Sequence, residues 1–174
     1  MHNIEQLKKE MFQLPLPCLL NGVHLQTFSQ TNSSDEESAV RWLDLRRRAF
    51  ARQSVGVRDW SVEEFRGEMM EKGWWSPEHL WFAESDESES NELLGAICLA
   101  IRGSGEAAVP VVHWLMVDPR HRRKGIATAL LRQLELRSWE LGYREILLET
   151  HSRWKAAGEF YRKQGFVPAG TADS

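Results

Sequence analysis

Short apolar runs recur along the chain, and polar or glycine- and proline-containing turns separate them. Short runs of this kind, bounded by turn residues, are typical of β-strands. They predict strands at residues 19–28, 80–83, 93–101, 111–117 and 144–150, the first one interrupted by Asn21-Gly22. The first four of these strands are expected to form an antiparallel run.

Helical spacing of apolar residues marks the stretches between these strands. Capping boxes at Ser34 with Glu37 and at Ser61 with Glu64 predict two helix starts. The second of these helices is expected to end at Gly73. Two later helices are predicted from their spacing and their end signals, one from Gly125 to Gly142 and one from Ser152 to Gly165.

The N-terminal residues have a different pattern from the rest. Apolar side chains at Ile4, Leu7, Met11 and Phe12 predict a short helix over residues 4–13. The prolines that follow end this helix. The sequence therefore indicates an N-terminal extension at residues 1–18 with a short helix, and one domain at residues 19–174.

The order of the elements defines the fold class. The helix that opens at Gly125 connects the strand at 111–117 to the strand at 144–150, and a crossover of this kind places two strands parallel. We therefore expect a mixed α/β fold with a mostly antiparallel central sheet, one parallel β-α-β unit and flanking helices.

Composition narrows the class of protein further. The chain has 174 residues, 42% of them hydrophobic, and a formal net charge of −3, which fits a single globular domain without a general attraction to nucleic acid or membranes. The arginines at 46–48 and the acidic residues at 84–92 are interpreted as solvated surface. Cys18 and Cys98 suggest neither a disulfide framework nor a metal site. Without a signal peptide or long apolar run, a cytoplasmic location is expected.

The turn between the strand at 111–117 and the next helix has the properties of a phosphate site. The first turn of a helix leaves backbone N–H groups without partners and carries a partial positive charge. Gly125 lets an anion approach the backbone, and the small Ala127 keeps the next turn open. Arg122, Arg123 and Lys124 add an attractive field.

These residues resemble the GNAT N-acetyltransferase superfamily. The sequence from Arg122 to Ala127 matches its Arg/Gln-x-x-Gly-x-Gly/Ala motif, and Phe160 to Phe166 is similar to its Phe-Tyr-x-Lys-x-Gly-Phe motif. The resemblance covers roughly residues 20 to 168 and implies acetyl-CoA as acyl donor, with its pyrophosphate on the loop and its pantetheine beside the preceding strand. The cofactor-binding residues that it implies are Leu115, Met116, Val117, Arg122, Arg123, Lys124, Gly125, Ile126, Ala127 and Thr128.

Transfer of acetyl from a thioester to an amine needs a base, donors for an oxyanion and an acid for the thiolate. His113 is the candidate base, because it is expected on the same strand face as Leu115 and Val117; Glu149 and His151 are the alternatives. A backbone N–H near Met116 or Val117 is the candidate oxyanion donor. Tyr161 is the candidate acid, since a phenol stays protonated at neutral pH. Both His113 and Tyr161 also fit a purely structural role.

Several alternatives stay open at this stage. Trp74 and Trp75 belong either to an aromatic acceptor pocket or to an ordinary connection. Many members of the superfamily have an asparagine at the position of Trp154. They usually continue through a strand hairpin after the position of Phe166, whereas this sequence stops at Ser174. The sheet is therefore expected to be one strand short, or to be completed by other residues or by a partner chain, as in a homodimer.

The resulting prediction is an N-acetyltransferase that acts directly on an amine, without a metal and without an acyl-enzyme. The acceptor is a small molecule, a peptide or a protein, with no nucleic-acid or membrane partner. The alternative is a noncatalytic acyl-CoA-binding or sensing module.

Overall fold

A computed structural model describes residues 3–51, 57–87 and 89–170. Eleven helices and strands, besides short 3₁₀ turns, follow one another in this part of the chain. Their bounds are β1 Ile4–Glu10, β2 Val23–Thr27, α1 Asp35–Phe50, α2 Val62–Phe65, β3 Leu80–Ser85, β4 Gly95–Arg102, β5 Val109–Val117, α3 Ile126–Glu140, β6 Glu145–His151, α4 Lys155–Lys163 and β7 Val167–Pro168.

The strands form one mixed sheet. Within the described residues its order is β2-β3-β4-β5-β6-β1-β7 over seven strands. Every neighbouring pair is antiparallel except β5 and β6, which are parallel and are connected through α3. The mixed α/β class and the parallel β-α-β unit predicted from the sequence are therefore confirmed.

Helices cover both faces of this sheet. On one face, Leu130, Leu131 and Leu134 of α3 and Tyr161 of α4 pack with Ile97, Leu99 and Leu148 of the strands. On the other face, Trp42 and Leu45 of α1 and Phe65 of α2 pack with Leu80, Phe82 and Cys98. The first of these faces is called the α3 face below, and the second the α1 face.

Both predicted capping boxes are present. Ser34 accepts a hydrogen bond from the backbone of Glu37, and Ser61 accepts one from Glu64. Helix α2 is shorter than expected, because it continues into one turn of π-helix at Arg66–Met70. The predicted cap at Ser152 is wrong: α4 begins at Lys155, and its N-cap residue Trp154 makes no side-chain cap.

The predicted short helix at residues 4–13 is wrong. Residues Ile4–Glu10 form β1, which pairs antiparallel with β6 on one side and with β7 on the other. Leu7 is fully buried in the core on the α3 face. The flanking side chains on that face are charged but paired, Lys9 with Glu135 and Glu5 with Arg162. These charges hid the strand alternation in the sequence.

The strand β1 also answers how the sheet is completed. The chain's own N-terminal residues lie between β6 and β7, so the sheet needs no partner chain at this position. The first predicted strand is present as the shorter β2, and Leu20 adds an isolated bridge to Val23 across the turn.

Candidate active site

The site forms where β5 and β6 separate. The two strands are paired only at Val111 with Leu147 and at Val112 with Leu148. Beyond these pairs both strands continue, to Val117 and to His151, without a ladder between them. A cleft therefore opens in the sheet with its apex near His113.

A β-bulge shapes the strand at this apex. The pairing of β4 with β5 shifts between Cys98 opposite His113 and Ala96 opposite Met116, so Trp114 and Leu115 both face Ile97. Trp114 has a φ of +53°, in the left-handed region that β-strand residues rarely adopt. The bulge places His113 on the α1 face and leaves Leu115 and Val117 against the α3 face. The expectation that His113 shares a face with these two residues is therefore wrong.

The backbone of β5 beyond the bulge presents hydrogen-bonding groups to the cleft. The N–H of Asp118 donates to the carbonyl of Leu94 on the β4 side. Because successive N–H groups of a strand point in opposite directions, the N–H of Met116 also points towards β4 and that of Val117 points towards the cleft. Of the two oxyanion donors considered from the sequence, this alternation favours Val117.

The phosphate loop lies at the open end of the cleft. Arg123 and Gly125 have φ values of +62° and +83°, and α3 begins immediately afterwards at Ile126. Glycine is favoured at position 125 by its left-handed backbone as well as by the access that it gives to an anion. A Cβ added at this position would lie 3.2 Å from Leu20 Cδ2, so the loop is also packed from behind. The N–H groups of the first turn of α3 point out at this end.

Asp118 fixes this loop to the rest of the molecule, a role that the sequence did not suggest. Its carboxylate pairs with Arg48 of α1 and accepts hydrogen bonds from the backbone and side chain of Arg120. Burial alone would raise the pKa of Asp118, but the hydrogen bonds from Arg120 and the charge of Arg48 lower it to about 2. Arg122 adds a second link by donating to the carbonyl of Ala49 at 3.1 Å.

One cleft brings nearly all predicted site residues together. It has a volume of about 970 Å³, and its walls include His113, Tyr161 and the whole predicted cofactor-binding set except Lys124. Lys124 is exposed, and its Nζ lies 3.5 Å from Nδ1 of His121. The cleft is also lined by residues that the sequence reasoning did not assign to it, among them Phe50, Arg102, Trp114 and Arg153.

His113 is a neutral side chain in this cleft. Burial, with the nearby charge of Arg102 as a second cause, lowers its pKa from 6.5 to about 4. Its ring lies edge-on to Trp74 at 5.0 Å and to Trp114 at 5.8 Å. At neutral pH this imidazole can accept a proton, but it is a weak base.

Tyr161 is the buried side chain on the opposite wall. Its ring packs edge-on against Phe160 and Phe166, and burial raises the pKa of its phenol well above the usual value. Among the described residues, nothing forms a hydrogen bond with its hydroxyl group. A phenol in this state is a proton donor that stays protonated at every physiological pH.

The two alternative bases are placed differently. Glu149 lies on β6, lines the cleft and accepts a hydrogen bond from Gln6 at 3.3 Å. His151 does not line the cleft; its Nδ1 accepts a hydrogen bond from the backbone of Arg153. Geometry therefore keeps Glu149 as an alternative to His113 and removes support from His151.

Aromatic rings close the α1 side of the site. Phe50, the last residue of α1, contacts Trp114 at 5.8 Å and Trp154 at 5.4 Å, so rings from three separate elements meet there. Behind them the buried Arg46 lies 4.2 Å from the ring centre of Trp60 and 4.8 Å from that of Trp114. Its pKa is lowered, mainly by burial. Trp74 contacts the ring of His113 but does not line the cleft, and Trp75 packs on Phe28 and Phe65. These contacts favour an ordinary packed connection over an aromatic acceptor pocket for Trp74 and Trp75.

Comparison with known proteins agrees with this architecture. Residues 40–166 match the model of the Acetyltransferase (GNAT) family. The match covers most of the chain, which therefore belongs to the GNAT family. Human N-acetyltransferase 8 is 34% identical over 91 residues, which are 52% of this chain and 39% of that protein. The chain thus spans about two fifths of this relative's length.

Solved structures share the fold at lower identity. A GCN5-related N-acetyltransferase from Sphaerobacter thermophilus superposes with a TM-score of 0.71 and 22% identity, over 95% of this chain and 48% of that one. The NatC complex bound to Gag peptide and CoA superposes with a TM-score of 0.61 and 19% identity, over 85% of this chain and 86% of the matched chain.

Two further structural observations concern the described residues. None of the helices there is long and apolar enough to cross a membrane. No three His, Cys, Asp or Glu side chains of these ranges are grouped so that they could hold a metal ion.

Proposed function

We propose that this protein is an acetyl-CoA-dependent N-acetyltransferase that transfers the acetyl group directly to an amine. The observation that carries the proposal is the cleft between the separated ends of β5 and β6, which has the left-handed Gly125 and the start of α3 at its open end. The membership of the GNAT family and the CoA in the solved NatC complex support the same acyl donor.

The cleft fits the donor molecule in two parts. The unpaired N–H groups from Gly125 to Thr128, with Arg122 and Arg123 beside them, suit the pyrophosphate. The free edge of β5 from Leu115 to Val117 suits the pantetheine, whose amides can bond to a strand that has no neighbour on that side. The thioester then lies near the bulge at Trp114, within reach of both walls.

The reaction joins the amine nitrogen to the thioester carbonyl carbon and breaks the carbon–sulfur bond. The Val117 N–H is the proposed donor to the oxyanion of the tetrahedral intermediate. Tyr161 is the proposed acid that protonates the departing thiolate. His113 or Glu149 accepts the proton that the amine loses. Neither Cys18 nor Cys98 lines the cleft, which favours direct transfer over an acyl-enzyme.

A noncatalytic acyl-CoA-binding module is the second candidate. Two observations favour it. The pKa of His113 is about 4, far from that of an efficient base at neutral pH, and the indole of Trp154 packs on Phe50 at the position where the resemblance to the superfamily implies an asparagine. The two candidates share the same cleft and differ only in turnover.

Calorimetric titration with acetyl-CoA, free CoA and ATP tests whether the cleft binds CoA compounds, which both candidate functions require. We expect saturable binding of both CoA compounds and much weaker binding of ATP. Release of CoA thiol in the presence of a panel of amines then separates the candidates. Binding without turnover on any amine would establish the noncatalytic module, and absence of binding would overturn both.

A further inference from the structure

One face of the sheet presents polar side chains at the apex of the cleft. Arg102 is paired with Val109 across β4 and β5, and Val111 is paired with Leu147 across β5 and β6. Register partners share a face, and side chains alternate along each strand. It follows that Arg102, His113 and Glu149 all lie on the α1 face.

Two of these side chains are charged: Arg102 on β4 is a cation and Glu149 on β6 is an anion, and the neutral ring of His113 lies on β5 between these strands. All three line the cleft, and they are the polar side chains that β4, β5 and β6 direct to the cleft from this face. Within residues 3–51, 57–87 and 89–170, neither Arg102 nor Glu149 forms an ion pair, although most other arginines there do. Arg102 is close enough to His113 to depress the pKa of its imidazole. An exposed cation, Arg102, and an exposed anion, Glu149, which accepts a hydrogen bond from Gln6, thus flank the apex.

The surroundings of these three side chains add apolar surface. Trp74 and Trp114 contact His113 on the same face, and the guanidinium of Arg46 stacks behind Trp114. Arg46 is 4% exposed and donates to the backbone carbonyl of Arg58 at 2.7 Å, with no carboxylate of the described residues within ion-pair distance. The charge of Arg46 is partly balanced by the nearby carboxylates of Asp59 and Glu64, so the preference for an acceptor that carries an anion rests on Arg102.

We propose that the acceptor is a small aminocarboxylate with an aromatic or other apolar group. Its amine faces Glu149 and His113, its carboxylate pairs with Arg102, and its apolar group lies against Trp114. This inference rests on the proposed function and names the class of its acceptor. An arginine recognises a carboxylate through two parallel hydrogen bonds, which gives the site directional specificity.

A matched series of amines tests this assignment. Phenylalanine, phenylalaninamide and phenethylamine share the ring and differ at the carboxylate, and CoA release is measured for each with saturating acetyl-CoA at pH 8. We expect kcat/KM for phenylalanine to exceed that of the other two by about tenfold or more, the value of one charge-assisted hydrogen bond. Phenylalaninamide is the stringent comparison, because its less basic amine is more fully deprotonated. Equal or faster acetylation of phenethylamine would overturn the proposal.

The variant Arg102→Gln tests whether Arg102 causes the preference for a substrate that carries a carboxylate. This variant should raise KM for phenylalanine about tenfold and abolish the preference for phenylalanine over phenethylamine. Because Arg102 also lowers the pKa of His113, the readout is the ratio of kcat/KM for the two substrates, in which an effect on the base that they share cancels. Arg144→Gln is the matched control, since Arg144 stacks on Trp139 away from the cleft and its loss should leave the preference intact. A parental preference in Arg102→Gln would remove Arg102 from the site.

A binding measurement keeps this inference separate from catalysis. A change in the intrinsic tryptophan fluorescence reports ligands beside Trp114, which lines the cleft, in the protein loaded with CoA. Tighter binding of phenylalanine than of phenethylamine, lost in Arg102→Gln, would support the site even if no amine were acetylated, in which case the proposed activity alone would fail. Equal binding of the two ligands would overturn the site whatever the turnover.

Discussion

At the scale of single residues, Gly125 meets two requirements: it adopts a left-handed backbone conformation, and its lack of a side chain lets an anion approach the loop. We predict that Gly125→Glu loses acetyl-CoA binding by far more than tenfold while the fold is retained, because a side chain and a negative charge enter the phosphate site. The left-handed backbone adds a cost of about 1–2 kcal/mol for any other residue.

Gly142→Glu is the control for that cost. Gly142 has a φ of +95° at the end of α3, and an added Cβ would meet nothing within 4 Å. Both variants should lose similar thermal stability, but only Gly125→Glu should lose binding in calorimetry. Parental affinity in Gly125→Glu would show that the loop does not hold the pyrophosphate.

Replacement of Tyr161 by phenylalanine separates the role of its hydroxyl group as an acid from the role of its ring in packing. We predict that Tyr161→Phe lowers kcat at least about tenfold with nearly unchanged affinity for acetyl-CoA, since only the hydroxyl is lost and the contacts with Phe160 and Phe166 persist. Tyr143→Phe removes the hydroxyl of the other tyrosine in the chain and should leave kcat unaltered. An unchanged rate in Tyr161→Phe would exclude the phenol from the mechanism.

At the scale of elements, β1 distinguishes the structure from the fold expected from the sequence. Leu7 is fully buried and Ile4 is 53% exposed on the same strand. Leu7→Ala is therefore predicted to lower the free energy of unfolding by roughly 2–4 kcal/mol, against less than about 1 kcal/mol for Ile4→Ala. Urea denaturation measures both changes. Equal, small effects would mean that β1 does not fold cooperatively with the sheet.

The elements that sequence reasoning predicted well are those with local signals. The capping boxes at Ser34 and Ser61, the turn at Gly125 and the parallel crossover depend on contacts between near neighbours or on chain topology. The errors depend on distant partners. Lys9 of β1 is polar in the sequence, but Glu135 of α3 pairs with it in the fold.

The same distinction between local signals and distant partners explains which features of the candidate site could be predicted from the sequence. The predicted cofactor-binding residues lie in two nearby segments, the strand end at 115–117 and the motif at 122–128, so it could be anticipated that all of them except Lys124 line one cleft. The face of His113 could not, because the bulge at Trp114 shifts the alternation and only the pairing with β4 reveals it. Arg102 and Glu149 come from other strands, and only the register of the sheet brings them to the same face.

At the scale of the whole molecule, the neutral His113 links folding to pH. Its ordinary pKa in an unfolded chain is about 6.5, whereas burial lowers the pKa to about 4 in the fold. Between these two pH values the unfolded chain binds more protons than the folded protein does. The free energy of unfolding therefore has its full value, as far as His113 is concerned, above pH 6.5, and it decreases as the pH falls towards 4. The full loss in the free energy of unfolding amounts to about 3–4 kcal/mol at most. His79, whose pKa burial also lowers, contributes with the same sign.

Urea denaturation at a series of pH values between 4 and 7 measures this loss. His113→Gln is predicted to flatten the decline, because glutamine does not titrate. The pKa of Asp118, about 2 in the fold against 3.8 ordinarily, shifts its own contribution below pH 4 and outside this window. A parental slope in His113→Gln would mean that the imidazole is not held neutral, and would make it a stronger candidate base than its burial implies.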